Sequence, residues 1–344
     1  MNVSVSALPL KLKHVFRIAH GASTQRNNAL VAVENGVGEA ALPPYYPTTL
    51  SDVENYVAQL SDWLEDAIHS SEFPIFSLLD DLPDGPSPAR AAIDMALHDI
   101  WGKRHGQPLY ALLGLDRNRA LVSSYALPIP TDLDELDGFL EEILDFPFLK
   151  LKIGSGNPDF DEAIVRRTRE RYSGMLCIDA NAGWTMDTAI SMIKRLNGYD
   201  LEFIEQPIPS EEIDDWHLLR RILPADVPAL IADESVQGPD DIIALAGAAN
   251  GVNIKFAKCG GIHTARKMIT LARQLDLTVM LGCMIESSVA LTAAAHLGPL
   301  ADYLDLDGPM HLAADPFVGM RFDRGVITLP KDPGLGVHPV NHVD

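Results

Sequence analysis

Three acids and three lysines stand at the ends of successive apolar runs. They are Lys150 and Lys152, then Asp179, Glu205, Asp233 and Lys255. The acids follow Met175–Ile178, Leu201–Ile204 and Leu230–Ala232. Brought together, three carboxylates repel one another unless a cation neutralises them. An all-oxygen donor set of that charge suits Mg²⁺, one ion per subunit, with other positions left to water or substrate. Lys150 and Lys152 are two apart, so on a strand they face the same side. Mutual repulsion and a nearby divalent cation would lower their pKa values, and a lysine so tuned is a general base. Lys255 ends the run Val252–Ile254 and arrives from another strand, across the site. A proton acceptor on each face of one carbon is what racemisation or epimerisation needs. One lysine removes an α-proton and the other returns it to the opposite face. Mg²⁺ on the adjoining carboxylate would stabilise the resulting enediolate.

Supporting groups lie close by. Asn181 shares a face with Asp179 and could support the metal. Glu234 faces away from Asp233 or orients a lysine, and Glu286, after the seventh apolar run, has the same choice. Helical phase starts near Lys258, before Gly260-Gly261, which makes Lys258 a supporting or loop residue.

Such residues need a scaffold that presents strand ends at one mouth. From Lys152 to Asp179 is 27 residues, and the next steps, to Glu205, Asp233 and Lys255, are 26, 28 and 22. Each step fits one strand plus one helix. Apolar runs begin near Leu121, Phe148, Met175, Leu201, Ala229, Val252, Thr278 and Tyr303, with amphipathic stretches between most of them. Eight parallel strands suit a closed α/β barrel, whose active site collects at the C-terminal strand ends. A doubly wound open sheet would concentrate its site at one switch point instead. Before the barrel, Val3–Leu10 and Ala29–Val33 read as strands, Asn35-Gly36 as a turn, and Leu50–His69 and Ser87–Arg104 as helices. The division is therefore a 1–115 α+β cap, a 116–314 barrel, and a 315–344 segment folding back on the cap.

The bulk numbers fit a soluble enzyme. The chain has 344 residues and a net charge of −21, which excludes a basic nucleic-acid footprint. No run of 18 apolar residues marks a membrane span, and Met1–Leu12 lacks the pattern of a signal peptide. Cys177, Cys259 and Cys283 fit neither a disulfide framework nor a zinc spacing, and read as small buried hydrophobes of a reduced cytoplasm.

The motifs Lys150-x-Lys152, Asp179-Ala-Asn, Glu205-Gln-Pro, Ala-Asp233-Glu-Ser and Asn253-Ile-Lys255-x-x-Lys258-x-Gly-Gly together resemble the muconate-lactonizing subgroup of the enolase superfamily. The resemblance covers the whole chain, including the Ala91-Ala92-x-Asp94 helix of the cap. It implies a modified TIM barrel, (β/α)₇β, under an α+β capping domain. It implies Mg²⁺ on Asp179, Glu205 and Asp233, with Lys152 and Lys255 as acid/base catalysts. Lys150 and Ile285 would contact substrate. Asp305-Leu306-Asp307 is similar to the Asp-x-Asp of dipeptide epimerases, which binds a substrate α-ammonium. Two carboxylates on one face want a cation. The function implied is inversion of the C-terminal residue of a dipeptide. N-acylamino acid racemase, o-succinylbenzoate synthase and muconate cycloisomerase activities are the alternatives, and a non-enzymatic peptide-binding protein is the remaining class. The quaternary state is open to a homo-oligomer. The cap-loop arginine that pairs with glutamate in Ala-Glu enzymes is missing at His20 or Gly21, with Arg17 and Arg26 out of register. A neutral or hydrophobic second residue is therefore expected.

Overall fold

The computed structural model describes residues 2–69, 73–116, 118–210 and 213–340. The cap opens with an antiparallel sheet of β1 (Val3–Ile18), β2 (Gly21–Val33) and β3 (Gly36–Ala40), in that order, with β1 at its edge. Both long strands outrun their apolar segments, because backbone pairing continues through polar residues to Ile18 and Gly21 across a register shift between Lys11 and Phe16. The sheet has two buried faces. Ala29, Val31 and Val33 pack into the cap core, whereas Leu8, Leu10 and Leu12 join the barrel core.

Helices α1 (Leu50–Gln59), α2 (Ser61–His69), α3 (Ile75–Asp80), α4 (Ser87–His105) and α5 (Leu109–Leu112) follow. The single helix expected over Leu50–His69 breaks at Leu60. Thr49 and Asp52 form a capping box at the start of α1. A Cβ on Gly38 would lie 1.9 Å from Ala92 O, so glycine is what lets β3 sit directly on α4.

The barrel strands are β5 (Tyr125–Leu127), β6 (Phe148–Lys152), β7 (Met175–Asp179), β8 (Phe203–Glu205), β9 (Ala229–Ala232), β10 (Gly251–Ile254), β11 (Thr278–Gly282) and β12 (Tyr303–Asp305). They are parallel and in sequential order. Ser124 N donates to Leu304 O at 2.8 Å, which brings the first and last strands together. Between them run α6 (Leu133–Ile143), α7 (Pro158–Arg171), α8 (Met186–Leu196), α9 (Ile213–Ile222), α10 (Pro239–Leu245), α11 (Phe256–Cys259), α12 (Ile262–Gln274) and α13 (Ser288–His296). Seven βα units and a final strand make the (β/α)₇β barrel. The apolar run at Leu121 splits: β4 (Leu121–Val122) leaves the barrel and pairs with the C-terminal segment, and the first barrel strand begins after Ser123-Ser124.

After β12 come a single turn, α14 (Gly308–His311), and four short strands: β13 (Phe317–Val318), β14 (Arg321–Asp323), β15 (Val326–Thr328) and β16 (His338–Pro339). The hairpin β14–β15 extends β4. Beyond it, Gly334 O accepts from Leu109 N and Leu335 N donates to Asp99 on α4. Asp94 of α4 also accepts from Ile262 N and His263 N, so a cap side chain satisfies the free N–H groups at the start of barrel helix α12.

Candidate active site

Alternation along the strands stacks the barrel interior in layers. Phe148, Cys177, Phe203, Ile231 and Met280 form an apolar plug with Tyr303 against it. Two residues further along the same strands stand Lys150, Asp179, Glu205, Asp233, Gly282 and Asp305. The plug thus lies beneath a polar layer that faces the cavity on the cap side.

Asp179, Glu205 and Asp233 each offer an oxygen, and these lie within 4.8 Å of one another. All three are at most 1% exposed. Burial, then repulsion from Asp179, pushes Glu205 up to about 8. Asp179 goes the other way: burial would raise it, but Lys152 and Lys150 outweigh that and hold it at about 2. Asp233 is held far below the usual carboxylate range, with Lys255 and Lys258 overcoming its burial. Glu205 Oε2 is buried, and Lys150 Nζ pairs with it at 2.6 Å. Three buried acids whose oxygens converge fit a hard divalent cation such as Mg²⁺.

The rest of the layer fixes these oxygens. Asn253 Nδ2 donates to Glu205 Oε1 at 2.8 Å. Gly282 makes room for it, since a Cβ there would lie 2.5 Å from Asn253 Oδ1. Gln206 accepts from Asp233 N at 2.8 Å and donates to Ser235 Oγ, tying the Glu-Gln-Pro turn to the Asp-Glu-Ser turn. Asn181 N donates to Asp179 Oδ1, and its Nδ2 donates to Glu234 Oε1 at 3.1 Å. Glu234 therefore faces the cavity, with burial and then Asp233 raising it to about 7.

The lysines hold the acids from both sides. Lys152 Nζ is 2.6 Å from Asp179 Oδ2, and Lys255 Nζ is 2.6 Å from Asp233 Oδ2. Lys258 takes Asp233 Oδ1 at 2.6 Å and also bonds Asp233 O. Helical phase begins at Phe256, not at Lys258, and the turn of α11 folds Lys258 back onto Asp233. The lowering expected from mutual repulsion and a nearby divalent cation refers to a loaded site; with the acids uncompensated, burial pulls Lys152 and Lys255 down, but Asp179 and Asp233 in contact with them raise both. Lys150 does not reach the cavity wall. It is fully buried, 2.7 Å from Asp305 Oδ2 and 3.1 Å from Asp179 Oδ2, and its charge is spent on acids.

Above this layer a cavity lies between barrel mouth and cap, lined by Lys152, Lys255, Asp305, Asp307, Ile285 and Arg26 among others. Asp305 Oδ1 accepts from Ser124 Oγ. Asp307 Oδ2 accepts from Ala126 N at 2.6 Å and meets His311 Nε2 at 2.8 Å. Each carboxylate keeps free lone pairs. Glu286 stays off the wall: it accepts from Met284 N, and burial followed by Glu39 raises it to about 8. Glu39 in turn accepts from Ser287 N, Ser287 Oγ and Asn28 Nδ2, clamping the Ile285 turn to the cap. Arg26, placed out of register from the sequence, does reach the cavity. Its neighbour two along, Asn28, bonds Ile285 O, so β2 turns both residues toward the barrel. Arg26 is 6% exposed, and no acid pairs with it among the described residues.

His311 and Tyr45, also on the wall, were not singled out from the sequence, and Arg26 was set aside there. His311 had a signal, standing four residues after Asp307 at helical spacing.

Residues 135–343 match the enolase C-terminal domain-like family, and residues 2–114 match the mandelate racemase / muconate lactonizing enzyme N-terminal domain. The L-Ala-D/L-Glu epimerase of Bacteroides thetaiotaomicron is 36% identical over 98% of this chain and 88% of its own. The hydrophobic dipeptide epimerase of Roseobacter litoralis is 35% identical over 98% of each chain. A crystal structure of the dipeptide epimerase from Cytophaga hutchinsonii, complexed with Mg and D-Ala-L-Val, superposes with a TM-score of 0.89 at 28% identity, covering 99% of this chain and 96% of that one. Fold, site and likeness agree, and the chain belongs to the mandelate racemase/muconate lactonizing family of the enolase superfamily.

Proposed function

We propose that the protein is a Mg²⁺-dependent dipeptide epimerase that inverts the α-carbon of the C-terminal residue. The observation that carries this reading is one cavity wall bearing Lys152, Lys255 and the carboxylate pair Asp305/Asp307. Asp179, Glu205 and Asp233 would hold one Mg²⁺ per chain. The chemistry a bound Mg²⁺ supplies is positive charge beside the substrate carboxylate and beside the acids that now hold the lysines protonated.

Lys152 and Lys255 work as a pair. One, unprotonated, takes the α-proton: the C–H bond breaks, an N–H bond forms, and an enediolate is left. The other, protonated, gives its proton to the opposite face. The reverse reaction exchanges their roles. Asp305 and Asp307 hold the α-ammonium, which fixes the peptide's direction across the two lysines. Lys150 keeps Asp179, Glu205 and Asp305 together from below. Asn181, Glu234, Lys258 and Glu286 position the groups that touch substrate or metal.

Arg26 changes the expectation for the second residue. A buried cation without an acidic partner favours a carboxylate from the ligand. The side chain to be inverted is therefore acidic, as in Ala-Glu, rather than neutral.

The test is a dipeptide library incubated with Mg²⁺ in D₂O and read by mass spectrometry. The reading requires uptake of one deuterium together with epimerisation, and it requires loss of both after Asp305→Ala or Asp307→Ala. Activity on N-succinylamino acids that survives those two substitutions would establish the racemase alternative instead. Ligand binding without exchange would indicate a binding protein.

A further inference from the structure

A second hollow, of about 500 Å³, lies beside the ammonium end of the site. That is far more than the roughly 10–15 Å³ that holds one water, so it is more than a packing defect. It runs between cap strand β1 and the barrel's β5 and α6, with walls that include Val15, Tyr125, Leu127, Phe139 and Phe146. Its charged residues do not make it an ion site. Lys13, His14 and Glu142 are exposed at its rim, and Glu135 is engaged by Arg17 at 3.1 Å.

Phe16 and His311 line this hollow and the substrate cavity alike. His311 stands on the shared border with Nε2 2.8 Å from Asp307 Oδ2. Its ring centroid is 4.9 Å from that of Phe16 and 5.0 Å from that of Tyr125. The border therefore adjoins the carboxylate that holds the α-ammonium. In a peptide the N-terminal side chain branches from the same carbon as that ammonium. With Asp305 and Asp307 fixing the ammonium, this side chain starts next to the border.

We propose that the hollow receives the side chain of the N-terminal residue and selects a large apolar one, such as Leu or Phe, over Ala. The inference rests on the dipeptide reading and adds a substrate class to it. Moving such a side chain from water into the hollow favours it by roughly ten- to a hundredfold in kcat/KM.

Gly138 on α6 supplies a clean probe. It lines the hollow, and a Cβ there would meet nothing within 4 Å. Gly138→Trp fills the space from the wall away from the lysines and acids. The experiment measures Ala-X, Leu-X and Phe-X, with X fixed at the second residue turned over best. Wild type should prefer Leu-X or Phe-X tenfold or more, mainly through KM. Gly138→Trp should remove that preference and leave Ala-X within about twofold, and Gly138→Ala should behave as wild type. The inference is overturned if wild type turns over Ala-X as well as Leu-X and Phe-X. It is also overturned if folded Gly138→Trp weakens all three equally. Should Gly138→Trp fail to fold, the wild-type series decides alone. Turnover of Ala-X without the preference refutes only the hollow's role, whereas absence of exchange on every dipeptide refutes the dipeptide reading with it.

Discussion

Arg26→Met tests what the cavity selects. Arg26 extends from β2 opposite Leu10, on the sheet face that the barrel covers. Burial pulls its pKa below the usual guanidinium value, which records the cost of holding this charge away from water. No carboxylate of the described residues repays that cost. A substrate glutamate would do so through charge-assisted hydrogen bonds, each worth about 1.5–3 kcal/mol. Since about 1.4 kcal/mol is tenfold, Arg26→Met should lower kcat/KM for Ala-Glu by roughly 10- to 150-fold. Methionine keeps most of the apolar stem, so Ala-Leu should hold or improve. Arg26→Lys keeps the charge but loses the forked geometry and should fall between. Thermal stability should not drop, because an unpaired buried charge is removed. Steady-state rates on both dipeptides, followed by polarimetry, give the ratio directly. Equal losses on Ala-Glu and Ala-Leu, or a wild type that prefers Ala-Leu, would refute the role given to Arg26.

Three other substitutions probe different layers of the molecule. Lys152→Ala and Lys255→Ala should each reduce epimerisation by on the order of 10²- to 10⁴-fold, while each keeps deuterium exchange on one epimer only, seen by NMR in D₂O. Near-normal turnover in both would end the two-base scheme. Gly282→Ala should push Asn253 off Glu205 and weaken Mg²⁺ binding by roughly 10- to 100-fold, read from the Mg²⁺ dependence of the melting temperature. An unchanged Mg²⁺ titration would show that Asn253 does not position Glu205. His296 is buried, with Nδ1 accepting from Tyr110 N and Nε2 donating to Leu335 O. Burial lowers its pKa from 6.5 to about 4. The unfolded chain therefore binds this proton first, and stability is full above pH 6.5 and lost as pH falls toward 4, by about 3 kcal/mol. Urea unfolding of wild type and His296→Gln across that window should differ in slope, wild type losing about 3 kcal/mol more than the variant as pH falls from 6.5 toward 4.

The polar layer at the barrel mouth was legible because two simple periods govern it. Strand alternation puts Lys150 under Lys152, and the βα repeat brings Asp179, Glu205 and Asp233 to one height, so residue spacing alone located the acids and lysines. It did not report how charge is shared. From spacing, Lys150 and Lys152 look equivalent. Only the closed barrel shows Lys150 consumed by Asp179, Glu205 and Asp305 while Lys152 reaches the cavity. Likewise spacing did not show that Lys152 and Lys255 each touch a carboxylate, Asp179 and Asp233, which raises them as long as no cation takes those oxygens.

Arg26 failed for a related reason. Ala29, Val31 and Val33 announce one inward face of β2, and a half-buried strand should then show solvent on the other. Arg26 and Asn28 lie on that other face, and nothing local distinguishes them from surface residues. The barrel covers them, and Leu8, Leu10 and Leu12 on β1 were the sign that it would. A cap sheet with two buried faces works as a wall of the site rather than a lid placed over it. The strand that bears Arg26 also ties Asn28 to the Ile285 turn, so the groups proposed to choose the second residue share one seam between cap and barrel. A substitution that loosens Asn28 should therefore weaken discrimination at Arg26 without touching either lysine.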